Sequence, residues 1–319
     1  MMSSAQAKIF TRTRTFSSFA IAFVVLFSVI FSEFIKATDI TWQIIVALIA
    51  LSVGIPHGAL DHLVTLPRAS ILRMSVFIFT YVLIAVIAVF AILEWNVYGF
   101  IGVVIMSALH FGIGDAAFIN ETDRSTAMPT SSHTAKTFYA LSAGALPVVI
   151  PLVNKESTSA LAAVNSDLID WHSGFDQKLI NLVLGLYLVT VLVLAANRRW
   201  RDLVDLNLLL TLSFFTPPLV AFAAYFGLWH AMRHTARLTL NLQSSQKSVI
   251  EGKPGRAFRQ AVIPGTPALV GTFIVSLAIA TITPGKLSDE FLWLSLVVVW
   301  ALTVPHMMVT AKLDKAALR

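Results

Sequence analysis

Two histidines four residues apart, in the segment Tyr225-Phe-Gly-Leu-Trp-His230-Ala-Met-Arg-His234, share one face of a helix one turn apart and can reach a single ion. They have company. Of the eight histidines in the chain, His133 and His172 fall in polar stretches and read as solvated loop residues. His57, His62, His110, His230, His234 and His306 lie within or at the ends of apolar runs. Ionisable side chains in hydrocarbon cost several kcal/mol unless they are paired, so an intramembrane histidine is a functional residue by default.

The chain contains no cysteine, which removes disulfides, iron–sulfur clusters and thiolate metal sites. A metal must then be held by His, Asp or Glu, and an imidazole set suits Zn, Cu, Fe or Ni rather than Mg or Ca. Zinc hydrolysis wants a nearby base, and no Glu lies within an apolar run. That favours oxygen chemistry at Fe(II). His57 sits in Pro56-His57-Gly-Ala-Leu-Asp61-His62, where Pro56 and Gly58 loosen the helix and Asp61 follows one turn on. His110 sits in His110-Phe-Gly-Ile-Gly-Asp115. A metal-bound His usually donates its second ring N–H to a carboxylate or carbonyl. Asp61 and Asp115 are candidates for that task, and read equally well as helix-end carboxylates facing water. His306, in Val304-Pro-His306-Met-Met, is a fifth ligand, a supporting group, or a packed His bonded to a backbone carbonyl. His62 reads as interfacial. Arg233 and Arg237 flank the His pair and are expected to snorkel to the membrane interface.

The elements that must carry these residues are membrane spans. The chain of 319 residues is 57% hydrophobic and 13% charged, with mean hydropathy +0.79, against roughly 25% charged in soluble domains. The expected fold is all-α, a polytopic transmembrane bundle of about 8–10 spans. Window hydropathy gives ten: 16–35, 41–63, 71–93, 97–119, 137–153, 179–196, 203–216, 218–240, 264–283 and 290–311. Residues 1–15 form a basic cytoplasmic segment, 16–311 a single catalytic domain and 312–319 a basic tail. The first run lacks a signal-peptide cleavage pattern and is expected to be retained.

The pair Pro217-Pro218 should divide two helices. With the N-terminus inside, that division keeps Arg198-Arg199-Trp200-Arg201 on the same side as Lys247, Lys253, Arg256 and Arg259. Arg68, Arg73, Lys312, Lys315 and Arg319 fall there too, while Lys36, Glu94 and Lys286 fall outside. The segment 203–216 is short enough to be re-entrant or distorted. The stretch 120–136 reads as a polar loop, and 154–178 as a loop with room for a short interfacial helix. The net charge of +6 belongs to these loops and is no argument for nucleic acid. At about 1.5 Å rise per residue, His57, His110, His230, His234 and His306 reach a similar depth, a little inward of the midplane. Gly112-Ile-Gly114 lies inside a span, has no preceding strand, and is not a dinucleotide fingerprint. Glycines there are common where membrane helices pack closely.

The four segments around His57, His110, His230/His234 and Pro305-His306-Met resemble, in order and across most of the chain, the motifs of the Brp/Blh family of microbial membrane β-carotene 15,15′-dioxygenases. The resemblance implies cleavage of the central double bond of β-carotene, or of a related carotenoid, with O₂ to give two all-trans-retinal. It also implies iron held by four histidines: His57, His110, His230 and His234. His57 is taken over His62 because it lies deeper and follows the proline. Asp61, Asp115 and His306 would support the site. A lipid-soluble substrate needs a lateral opening and an apolar tunnel past the metal, which the 22 Phe, 7 Trp and 5 Tyr are available to line. The implied location is the cell membrane, and the retinal would be available to a microbial rhodopsin. Competing readings are a membrane haem protein using two axial His, a di-iron desaturase, which the lack of adjacent His pairs disfavours, and a transporter with His relays and broken helices.

Overall fold

The computed structural model describes residues 4–34, 39–66, 70–282 and 287–319. Among them the regular structure is helical and there is no strand. The helices are α1 (Ser4–Ile30), α2 (Ile40–Gly58), α3 (Asp61–Thr65), α4 (Ile71–Glu94), α5 (Asn96–Ser125), α6 (His133–Val153), α7 (Ser157–Val164), α8 (Asp176–Ala196), α9 (Trp200–Phe215), α10 (Pro218–Ala223), α11 (Ala231–Leu238), α12 (Gln243–Ile250), α13 (Pro254–Gln260), α14 (Thr266–Ile282) and α15 (Leu287–Leu318). A π-helical stretch, Ala224–His230, joins α10 to α11 without a break.

Seven helices among the described residues are long and apolar enough to cross a membrane. A helix satisfies most of its backbone polar groups internally, as hydrocarbon requires. The protein is a polytopic helical bundle. Seven of the ten expected segments are among these helices, and the other three are helical over shorter or interrupted stretches of the described residues. Helix α9 has sixteen residues and α14 seventeen, and 218–238 is divided among α10, the π stretch and α11. Helix α9 is regular along its length. The proline pair does separate two helices, with α9 ending at Phe215 and Pro218 opening α10, where its missing N–H costs nothing.

Three other expectations change. Helix α1 starts at Ser4, well ahead of the apolar run, and Arg14 is buried, paired with Asp202 at 2.5 Å and Asp205 at 2.9 Å. The expected loop 120–136 is largely helix. Helix α5 continues to Ser125 with Asn120, Glu121, Thr122 and Asp123 buried; Asn120 bonds α15, Glu121 pairs with Arg237 of α11, Asp123 with Arg199 just before α9, and Thr122 bonds back to Phe118. The basic stretch after α11 folds into the hairpin of α12 and α13, turned at Gly252, whose φ of +73° only glycine adopts freely. Helix α7 supplies the short helix for which 154–178 had room. Lys36, Arg68 and Lys286 lie outside the described residues.

Helices α5 and α6 form the axis of the bundle. Gly112 and Gly144 face each other's helices so closely that a Cβ at Gly112 would overlap the Ala140 carbonyl, and one at Gly144 the Ala108 carbonyl. Helix α6 packs on α8 and α9, and Ser142 and Thr190 share a 2.7 Å hydrogen bond across α6 and α8. On the other side α15 packs on α4, α5 and α14, and α2 on α10, α11 and α14. Helix α4 buries only Ala85 and Ile92 and presents most of its apolar surface outward.

Candidate active site

Five imidazoles meet where α2, α5, α11 and α15 converge. Ring centres of His57 lie 5.5, 5.1 and 5.5 Å from those of His230, His234 and His306. His110 lies 5.2 Å from His230 and 5.1 Å from His306. His234 is 6.0 Å from His230 and 5.6 Å from His306. All five are buried. Local sequence aims each one. Pro56 loosens the end of α2, and His57 Nδ1 bonds back to the Gly54 carbonyl. The π stretch ends at His230 and turns Tyr225, Phe226, Trp229 and His230 all to the interior, a device common at functional positions in helices. His234 follows one α-turn later.

The hydrogen bonds determine which nitrogens face the cluster. His306 Nδ1 donates to both oxygens of Asp61, at 3.0 and 2.9 Å, and Tyr81 donates its hydroxyl to the same carboxylate at 3.0 Å. A carboxylate accepts, so Nδ1 carries a proton, and Nε2 is left without a hydrogen-bond partner. His110 Nδ1 has Thr310 Oγ1 at 3.5 Å. Among the described residues, the Nε2 atoms of His230 and His306 and both nitrogens of His234 are buried without a hydrogen-bond partner. Burying so many unsatisfied polar atoms in one place is costly unless something else binds them.

A metal ion answers that description chemically. An imidazole bound at about 2.1 Å puts its ring centre about 3 Å from the metal, so two rings on one ion sit roughly 4.5–6 Å apart. The observed separations fall in that interval. As the side chains stand, no group of three or more among the described residues closes round a point tightly enough to enclose an ion. Ring spacing and unpartnered nitrogens are of the kind a shared ion would use, while the donors as placed do not enclose one.

Beside the cluster is a chamber of about 250 Å³, with His57, His110, His306 and Asp61 in its wall. Its far side is formed by Ile78, Tyr81 and Val82 of α4 and Ala268 and Thr272 of α14. Ile78 and Val82 are also exposed, so the wall that α4 gives the chamber is thin. A second chamber of about 140 Å³ meets the first at Phe111, Phe226, Val299 and Thr303.

The sequence profile describing β-carotene 15,15′-dioxygenases matches residues 48–314, which contain all five histidines. This chain belongs to the β-carotene 15,15′-dioxygenase family. Among its relatives in that family are a probable β-carotene 15,15′-dioxygenase, Blh, of Halobacterium salinarum and a β-carotene 15,15′-dioxygenase of the uncultured marine bacterium 66A03. The first is 30% identical over 289 residues, covering 83% of this chain and 82% of the relative. The second is 26% identical over 268 residues, covering 80% and 88%. No solved structure gives a significant match.

In this β-carotene dioxygenase relative the two arginines beside the His pair do not snorkel. Arg233 is buried, bonded to Asp205 at 3.1 Å and Ser17 at 3.0 Å, with its guanidinium 3.3 Å from the Trp229 ring centre. Arg237 is buried between Glu121 at 2.9 Å and Asp314 at 2.7 Å. Arg237 has a carboxylate on either side, whereas Arg233 shares Asp205 with Arg14. Their partners stand far off in sequence, on α5, α9 and α15, and no local pattern announces them. Asp115 supports the site differently from Asp61. It accepts from the Trp229 indole at 2.7 Å and from Tyr225 at 3.3 Å, holding the π stretch rather than a histidine. His62 is half-buried at the chamber wall, with Nδ1 3.1 Å from the Ala59 carbonyl. His133 and His172 lie away from the cluster, at the start of α6 and in the loop before α8. Tyr81 escaped the sequence reading because one tyrosine on an outward-facing helix carries no signal of its own.

Proposed function

We propose that this chain cleaves the central double bond of β-carotene with O₂, yielding two molecules of retinal, at an iron ion held by the buried histidines of the bundle. The observation that carries the reading is the cluster of five imidazoles, with unpartnered nitrogens, at the wall of an apolar chamber bordered by α4 and α14. The names of the two relatives point to the same reaction. His57, His110, His230 and His234 would hold the iron. His306, fixed by Asp61 with its Nε2 free, would complete the nitrogen set.

The stoichiometry is self-contained. Breaking one C=C bond and making two C=O bonds removes four electrons from the two carbons, and one O₂ accepts four. No external reductant and no nicotinamide or flavin is needed. Iron, when bound, supplies the one-electron redox chemistry that ground-state O₂ requires. The protein does the rest. The chamber takes an apolar polyene from the bilayer, its wall keeps water from the reacting carbons, and Asp61 and the Gly54 carbonyl hold the His306 and His57 rings in orientation. The protein would reside in the cell membrane, with its N-terminus on the cytoplasmic side.

The test is expression in a β-carotene-producing bacterium, with pigment extraction and chromatography. Loss of β-carotene with stoichiometric all-trans-retinal is the expected result. Unchanged β-carotene in cells containing verified, iron-loaded protein would sink the substrate. Purified active protein without iron would sink the cofactor.

A further inference from the structure

The histidine cluster does not by itself select a bond. A conjugated polyene offers many similar double bonds, and a slide by one of them would give two unequal aldehydes. Cutting in the middle requires something that measures half the molecule. The second chamber has the form of such a device. It begins at the Phe111, Phe226, Val299 and Thr303 wall beside the histidines and runs along the bundle away from them. Its lining extends from Phe111 back to Phe100 on α5 and from Thr303 back to Leu292 on α15, rows that rise about 16 Å. That is close to the reach of one half of a carotene.

At the far end stands α7. The buried face of α7 lies across it, with Ser157, Ala160, Leu161 and Val164 in the wall and Leu168 beneath. Polar groups at that end and in the dividing wall are already occupied. The Ser157 hydroxyl and the Trp171 indole both donate to the Leu152 carbonyl, at 3.1 and 3.2 Å, and Thr303 donates to Val299 at 2.9 Å. An occupant would meet hydrocarbon almost throughout.

Building on the carotene-cleaving reading, we propose that this chamber binds one hydrocarbon half of the polyene, and that its α7 wall is the stop that sets which double bond lies at the histidines. Helix α7 never touches the reacting bond. It acts on regiochemistry through the length of the occupant.

The experiment compares Ala160→Phe and Val164→Phe, which fill the end, with Leu161→Ala, which deepens it. Each full-length protein is assayed for iron content, for products from β-carotene, and for cleavage of a polyene aldehyde truncated at one end. With the end filled, retinal formation from β-carotene should fall about a hundredfold, the cost of a misplacement of about 1 Å or more at the reacting centre. Iron content and cleavage of the truncated polyene should persist. With the end deepened, unequal aldehydes should appear beside retinal. Retinal as sole product at the wild-type rate in all three variants would overturn the stop. So would parallel loss of both substrates in the filled variants, since α7 would then only support the fold. If the wild-type protein cleaves no carotene, the proposed function fails first. If it cleaves centrally and the variants do not differ from it, only the stop fails.

Discussion

Asp61 grips His306 with both carboxylate oxygens, 2.9 and 3.0 Å from Nδ1, across the gap between α3 and α15. The grip fixes the tautomer and leaves Nε2 pointing into the cluster without a partner. Carboxylates in this position typically contribute 10–100-fold to metal affinity. Asp61→Asn should therefore weaken iron binding by about that factor, read from iron stoichiometry during competition with a chelator. Asp115→Asn should leave iron affinity nearly unchanged, because Asp115 bonds Trp229 and Tyr225 instead of a histidine. Wild-type iron affinity in Asp61→Asn would remove His306 from the ligand set.

The histidines themselves divide into two classes. His57→Ala, His110→Ala, His230→Ala and His234→Ala should each abolish retinal formation, whereas His133→Ala and His172→Ala, distant from the cluster, should not reduce it. Chelation of the wild-type protein should stop the reaction, and added Fe(II) should restore it. Full turnover by any of the first four variants would break the assignment. Activity unmoved by complete iron removal would break the metal reading.

The helical bundle and the convergence of the histidines were legible in the sequence, because both rest on local facts. Long apolar runs must become helices in lipid, and counting residues along a span gives depth directly. His230 and His234 share a face by spacing alone. What was not legible depends on pairing across the bundle. Nothing near Arg14 or Arg233 indicates that both reach Asp205, so the sequence placed Arg14 in a basic cytoplasmic N-terminal segment and Arg233 at the interface. The π stretch was hidden as well, since Ala224–His230 has the composition of an ordinary apolar helix. Of the two glycines after His110, only Gly112 makes the close helix approach that membrane glycines suggest. At Gly114 a Cβ would meet only the His230 ring, at an ordinary 3.5 Å.

The buried charges are held for structure, and removing one should show it. Arg233 joins α11 to Asp205 of α9 and Ser17 of α1. Arg233→Ala leaves the Asp205 carboxylate short of one partner in a closed interior, a change that costs about 3–5 kcal/mol where a buried pair is broken. Thermal unfolding in detergent should register a large loss. Lys247→Ala, at an exposed position on α12, should stay within about 0.5 kcal/mol of wild type. Equal stability of the two variants would show that the Arg233 pair contributes nothing.

Helix α5 offers a controlled pair of glycines. At Gly102 a Cβ would meet nothing within 4 Å, while at Gly112 it would overlap the Ala140 carbonyl of α6. A flexible side chain could yield to the intruder, but a helix carbonyl on the bundle axis cannot. Gly112→Ala must push α5 from α6, at a cost of about 1–3 kcal/mol for overpacking. The same displacement moves His110, two residues away, so retinal formation should fall along with stability. Gly102→Ala should be neutral, or stabilising by up to about 1 kcal/mol through helix propensity. Unfolding temperatures and retinal yields measured side by side would separate the two. If Gly112→Ala matched Gly102→Ala in both, the close approach of α5 and α6 would not be what sets the position of His110.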